Sequence, residues 1–265
     1  MPRKGLSRMP DRKGRREEIQ SLSDWFDTGL GQALTDSSLH HLAKVLPCRY
    51  HDTAVQMGPG GGDFLTNVDS RLRIYINTHS ATEGRSSVVS DWTTVPLGRN
   101  SADLFVLVHT LDFTSDPRVV LREAATILAP EGSLVVCGLN PFGIWGLYRL
   151  FYGRKERMPW KSNYLPVTRI QDWISLLGLE TIGGSMHFYR PPFESTSILS
   201  RTAFMETAGS RWWPALSGAY ILVARKNNLN VRLVRARKEP VGLRGRKHLQ
   251  PVAHQSTRIR DGGLM

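Results

Sequence analysis

The chain has 265 residues, a net charge of +12 and two cysteines. No apolar run approaches the ~20 residues that a transmembrane helix needs, and the basic start of the chain lacks the apolar segment of a secretory signal. The two cysteines, far apart and without metal-ligand spacing, favour a reduced cytoplasmic location and predict no metal site.

The positive charge lies at the two ends of the chain. Residues 1–18 contain seven Lys/Arg against three acids, and residues 225–265 contain eleven against two, so the middle is about neutral. We therefore expect a basic disordered leader over 1–20, a folded domain over 21–226 and a basic disordered tail over 227–265. Such tails either contact polyanions, including nucleic acid, without sequence preference or are simply solvated.

The predicted elements begin with two helices. Apolar residues recur at helical spacing from Trp25 to Leu34 and again from Leu39 to Leu46. Ser23 and Asp36 are the candidate N-caps of these helices. We expect the pair to cover one face of the sheet that follows.

A short apolar run, residues 53–57, leads directly into a glycine-rich bend with Gly58, Gly60 and Gly62. Glycine lets the backbone adopt positive φ and lets a ligand approach without a Cβ in the way. A helix predicted to start near Asp63 would then point free N–H groups at that ligand. The alternative is an ordinary glycine-rich surface loop, since this spacing alone is a weak signal.

Six more strands are predicted after the bend, and helical segments separate them. The strand Ala102–His109 is apolar on both faces, as a central parallel strand must be. A helix opens at Asp116-Pro117, because Asp is a good N-cap and Pro suits the first turn. The pattern predicts an α/β fold with an open, mostly parallel sheet and helices on both faces. The remaining strands are predicted at 72–76, 86–90, 133–138, 179–186 and 218–224, with helices over 168–177 and 195–208.

Polar residues follow the predicted strand ends, where ligands bind in open α/β sheets. Asp91 follows the third strand, His109 and Asp112 the fourth, and Asn140 the fifth. Each has a structural alternative: a buried imidazole for His109, a turn or cap for Asp112, and an Asx-turn before Pro141 for Asn140. The aromatic and basic segment 141–165 is either a lid over this edge or a helix packed on the domain.

These motifs resemble the class I S-adenosylmethionine-dependent methyltransferases, in particular the type 11 group. The resemblance covers roughly residues 53–138 and includes the glycine bend, the loop from Asp91 to Pro96 and the block from Ser101 to Gly132. A narrower bacterial subgroup of uncharacterised methyltransferase-like proteins is similar over most of 24–226. The resemblance implies a Rossmann-like sheet of seven strands with the last antiparallel. It also implies S-adenosylmethionine as cofactor and methyl transfer to a small-molecule or macromolecular acceptor.

The resemblance also assigns roles to individual residues. The three glycines would let the backbone approach the methionyl and ribose groups. Asp91 would accept a hydrogen bond from the adenine amino group with Trp92 beside the ring, and His109 would lie along the sulfonium side. His109 is also a catalytic candidate, together with Asp112 and Asn140. The chain departs from the family at Gln56, which replaces an acid, and at Asn77, the nearest substitute for the acid that holds the ribose.

Two other functions remain open. Since two carboxylates are missing from the cofactor motif, the chain could be a catalytically weak or inactive module that binds nucleic acid or a protein partner through its basic tails. A nicotinamide-dependent Rossmann enzyme fits poorly, because the G-x-G-x-x-G spacing and the acid after the second strand are both lacking.

Overall fold

A computed structural model describes residues 20–60, 62–78, 87–152, 159–192, 202 and 204–227. The predicted leader lies almost wholly outside these residues, as does the predicted tail beyond Asn227. The start of the helix predicted over 195–208 and part of the segment 141–165 also lie outside them.

The sheet has seven strands in the order β3-β2-β1-β4-β5-β7-β6. Strands β1 to β5 are parallel, and β7 runs antiparallel between β5 and β6. The predicted mostly parallel α/β sheet with an antiparallel last strand is therefore confirmed. The strands are β1 His51–Met57, β2 Ser70–Asn77, β3 Ser87–Val89, β4 Ala102–Val108, β5 Leu128–Leu139, β6 Leu179–His187 and β7 Ala219–Lys226.

Seven helical segments are described. The first, α1, covers 20–26. The others are α2 Gly29–Val45, α3 Thr110–Phe113, α4 Pro117–Ile127, α5 Ile144–Tyr152, α6 Val167–Leu176 and α7 Phe204–Trp212, and a short 3-10 turn follows at Pro214–Leu216.

Helices cover both faces of the sheet because alternate side chains of its central strands point to opposite sides. Phe105 and Leu107 of β4 pack in one buried cluster with residues of α4 and α6. Leu104 and Val106 pack in a second cluster with Leu42 of α2. The central strands are therefore buried on both faces, as parallel strands require.

The caps of the first two helices differ from the prediction. The helical conformation is interrupted between α1 and α2, at Thr28. The Thr28 hydroxyl donates to the Trp25 carbonyl (2.7 Å) and accepts from the Gly31 N–H (3.2 Å). Thr28 is thus the N-cap of α2, and Asp36 lies inside that helix. The prediction for α4 is confirmed, because Asp116 caps it by accepting from the Val119 N–H at 3.3 Å.

Candidate functional site

The candidate site lies where the central strands end. Gly58, His109 and Asn140 directly follow β1, β4 and β5, which are neighbours in the sheet. Thr110 joins two of these ends, because its hydroxyl donates to the carbonyl of Met57 at 2.7 Å. The topology therefore gathers at one edge the glycine bend and the polar residues that the sequence singled out.

The glycines of the bend have different structural roles. Gly58 lies so close to β4 that an added Cβ would be 2.4 Å from the Val108 carbonyl oxygen. Gly60 and Gly62 have φ values of +131° and +96°, which side chains rarely tolerate. The bend is therefore built for glycine both by contact and by backbone conformation.

The side chain of Gln56 is hydrogen-bonded to the backbone at the end of the glycine bend. Its amide nitrogen donates to the carbonyl of Gly62 at 2.8 Å, and its carbonyl oxygen accepts from the N–H of Phe64 at 2.8 Å. A carboxylate could accept the second bond but could not donate the first. The neutral amide thus fastens the bend to the end of β1, whereas the sequence suggested only the loss of a charged partner for the ligand.

The prediction of a helix that starts near Asp63 is wrong. Residues 64–67 form a turn and β2 begins at Ser70. The Asp63 carboxylate accepts from the N–H of Leu65 and from the hydroxyl of Tyr75, both at 2.9 Å. This local side-chain bonding competes with helix formation and fixes a compact turn.

His109 and Asp112 form a buried pair after β4. His109 has a left-handed backbone with φ +52°, and its Nδ1 lies 3.3 Å from Oδ2 of Asp112. The same Oδ2 accepts from the N–H of Leu139 at 3.0 Å. Both side chains are almost fully buried. Two of the three catalytic candidates are thus in contact.

The second carboxylate oxygen of Asp112, Oδ1, is buried without a hydrogen-bond partner among the described residues. Burial raises the pKa of Asp112, although the hydrogen bond and charge of His109 and the N–H of Leu139 oppose that rise. A buried, unpaired oxygen is costly, so this position suits a ligand or a proton that satisfies it.

Asn140 has a structural task. Its amide nitrogen donates to the carbonyls of Ala215 and Ser217, both at 3.0 Å, and its oxygen accepts from the N–H of Phe142 at 3.1 Å. The bond from Phe142 forms the Asx-turn that the sequence offered as the alternative. The two bonds donated by the amide nitrogen tie the end of β5 to the segment before β7, so the geometry gives no support to Asn140 as a catalytic group.

Three predicted cofactor residues lie on the β2–β3 side of the sheet. Asn77 ends β2, and its carbonyl accepts from the N–H of Ser90 at 2.9 Å. Asp91 is exposed, and its Oδ1 accepts from the N–H and hydroxyl of Thr93 at 3.1 and 3.0 Å. Trp92 is buried in the core, and its indole N–H has no partner among the described residues. The acidic loop therefore keeps Asp91 at the surface and places the Trp92 ring in the protein interior.

The first two helices cover this edge, a contact that local sequence patterns do not predict. Phe26 of α1 lies against the His109 ring, with centroids 5.5 Å apart. A Cβ added to Gly60 would lie 3.1 Å from the Ser23 hydroxyl, and one on Gly62 would lie 2.7 Å from the Thr35 methyl. Ser23, Phe26 and Thr35 therefore belong to the site, although the sequence indicated only that these helices cover the sheet.

Known proteins are similar to the part of the chain that contains the candidate site. The family model described as "Methyltransferase domain" matches residues 55–136, from β1 to β5. Residues 55–136 are therefore similar to a methyltransferase domain. The match holds the glycine bend, the Asp91 loop and the His109–Asp112 pair.

Solved structures share the fold of this chain. A SAM-dependent methyltransferase from Thermotoga maritima is 15% identical with a TM-score of 0.57, covering 80% of this chain and 97% of that chain. The cyclase SpnF is 15% identical with a TM-score of 0.51, covering 74% of this chain and 81% of that chain. Proteins of this fold therefore catalyse different reactions, and the function has to be inferred from the residues of the site.

A curated relative of this chain is the uncharacterized protein YafS of Escherichia coli strain K12. It is 32% identical over 146 residues, which is 55% of this chain. The match spans 57% of the length of YafS. In the part of the chain that the structure describes, no helix is long and apolar enough to cross a membrane.

Proposed function

We propose that this protein is an S-adenosylmethionine-dependent methyltransferase. The cofactor of class I methyltransferase domains is S-adenosylmethionine, and residues 55–136 match such a domain. The observation that carries the proposal is the glycine bend at the end of β1, beside the buried His109–Asp112 pair at the end of β4. Its acceptor is a small molecule or a macromolecule.

The residues at this edge fit an adenosyl ligand. Gly58, Gly60 and Gly62 offer backbone without side chains, and Gln56 keeps that backbone in place. Asp91 is exposed at the next loop, where it can accept a hydrogen bond from an amino group. Asn77 ends β2 and Trp92 follows β3 nearby, and His109 completes the proposed cofactor-binding set at the end of β4.

Methyl transfer requires alignment and exclusion of water more than acid–base chemistry. When bound, the cofactor supplies an electrophilic methyl group on a sulfonium. Asp112 holds the His109 imidazole through Nδ1 and thereby fixes its orientation and tautomer. Phe26 shields the ring from solvent. We infer that this pair orients the acceptor and takes up a proton where the acceptor has one to lose.

The alternative function drawn from the sequence is a weak or inactive module that binds nucleic acid or a protein partner through basic tails. Residues 1–19 and 228–265 lie outside the described residues. No contact of the described residues favours this alternative over methyl transfer. It stays a hypothesis that cofactor titration separates from the proposal.

The test is calorimetric titration of the full chain with S-adenosylmethionine and S-adenosylhomocysteine. We expect saturable binding of both, lost in Gly60→Val. The matched control is Gly178→Val, because Gly178 also has positive φ (+76°) but has open space around it at the end of α6. The control should bind like the wild type. No heat from either ligand at millimolar concentration, or equal loss in both variants, contradicts the proposal.

A further inference from the structure

A cavity lies beside the candidate site, between the starts of α4 and α6. It has a volume of about 360 Å³. Its walls carry more positive than negative charge, because three arginines face one acid. The charged and aromatic lining residues are Asp116, Arg118, Arg149, Tyr164, Arg169 and Trp173.

Two of the arginines form the rim of this arginine pocket. The guanidinium carbons of Arg118 and Arg169 lie 5.0 and 5.6 Å from the centroid of the same Trp173 ring. Neither has an ion pair with a described residue. Stacking on an indole orients a guanidinium and leaves its N–H edge for an anion, so the rim is preorganised for oxyanion binding.

Arg149 and Tyr164 line the pocket beside these two arginines. Arg149 lies 4.8 Å from the centroid of Tyr164. The Tyr164 hydroxyl is buried with no hydrogen-bond partner among the described residues. Burial, followed by the charge of Asp112, raises the pKa of Tyr164, so the hydroxyl keeps its proton.

Two helices begin at the pocket and add to its positive potential. Helix α4 has 11 residues and α6 has 10. The N-cap of α6 is Pro166, which provides no side-chain acceptor for the first N–H groups of that helix. Helix starts carry partial positive charge and exposed donors, which favour an anion.

The pocket adjoins the candidate site through two contacts. The N–H of Asn163, on the pocket wall, donates to the backbone carbonyl of Asp112 at 2.7 Å. The charge of Arg149 also acts on the Asp112 carboxyl. The pocket and the His109–Asp112 pair are therefore adjacent in the structure.

We propose that the arginine pocket binds the phosphate monoester group of a small methyl acceptor. The inference rests on the proposed function, since it places the acceptor beside the methyl-transfer site. Three arginines and one acid line the pocket, so its lining is positive. A phosphate monoester carries about −1.5 to −2 at neutral pH and is attracted to a positive lining more strongly than a phosphodiester of a nucleic acid, which carries only −1.

The test is titration of the full chain with inorganic phosphate and with phenyl phosphate at constant ionic strength, followed by calorimetry. We expect saturable binding of both probes that tightens from pH 5.5 to pH 8 as the second phosphate proton is lost. Arg118→Gln and Arg169→Gln should each weaken binding by about tenfold or more. The control is Arg71→Gln, because Arg71 is an exposed arginine at the start of β2, far along the strand from the carboxyl ends.

Three outcomes overturn the inference. The first is no saturable phosphate binding by the wild type, and the second is equal loss in Arg71→Gln. The third is a single-stranded RNA that competes with phenyl phosphate at equal phosphate concentration. S-adenosylhomocysteine titrated into the same variants separates the two proposals: its binding should survive both substitutions. Cofactor binding without phosphate binding refutes the arginine pocket alone, and phosphate binding without cofactor binding refutes the methyltransferase.

Discussion

Gly58→Ala tests the construction of the site at its tightest contact. The added Cβ would lie 2.4 Å from the carbonyl oxygen and 3.0 Å from the Cβ of Val108. Relief requires β1 and β4 to separate by roughly 1 Å next to the Met57–Leu107 pair, because the close atom is backbone. Overpacking of this kind costs about 1–3 kcal/mol of the free energy of unfolding.

The assay is thermal unfolding of Gly58→Ala beside Gly98→Ala. For a chain of this size each kcal/mol shifts Tm by about 2–4 °C, so Gly58→Ala should melt about 2–12 °C below the wild type. Gly98 is exposed, and its added Cβ would meet nothing nearer than 3.9 Å. The control should therefore keep or slightly raise Tm, since Ala lowers the entropy of the unfolded chain. Equal melting temperatures for the wild type and Gly58→Ala would refute the close contact.

Three further predictions concern neighbouring groups. Gln56→Glu removes the donor to Gly62 and should lower the free energy of unfolding by about 1–3 kcal/mol by urea denaturation; tighter S-adenosylhomocysteine binding without loss of stability would instead favour a charged ligand contact. Asp91→Ala should weaken cofactor binding by about 1.5–3 kcal/mol in calorimetry if the adenine contact forms, and unchanged affinity argues against it. Burial, with smaller effects from the charges of His41 and His109, lowers the pKa of His187 to about 3. The unfolded chain therefore binds more protons than the folded protein between that value and the unfolded pKa near 6.5, and stability falls as pH falls. From pH 7 to pH 5 the wild type should lose about 2 kcal/mol that His187→Gln does not lose, measured by urea denaturation at both values. Identical pH dependence would exclude a neutral buried His187.

Local patterns predicted the elements whose causes are local. The apolar runs gave the strands, Asp116 gave the start of α4, and Gly178, with positive φ, follows the end of α6 as predicted. The predicted helix near Asp63 is replaced by a turn that two hydrogen bonds stabilise, and only one of them is local in sequence. An Asx-type bond to Leu65 is local, but the bond from Tyr75 comes from the next strand.

The sequence predicted the placement of candidate residues best where they come soon after the end of a strand. Gly58 and His109 directly follow β1 and β4, and Asp112 lies in the short helix after β4. The contacts of Ser23 with the bend and of Phe26 with His109 arise from tertiary packing that no short motif encodes. The amide of Gln56 is a related case, since only the folded bend shows that position 56 must donate a hydrogen bond.

A crystal structure of the protein in complex with S-adenosylhomocysteine would show where the cofactor binds. We expect the homocysteine and ribose over the bend from Gly58 to Gly62, with the adenine at the Asp91 loop and the sulfur facing His109. Ligand density elsewhere on the domain, or an unaltered bend without density at saturating ligand, would contradict it.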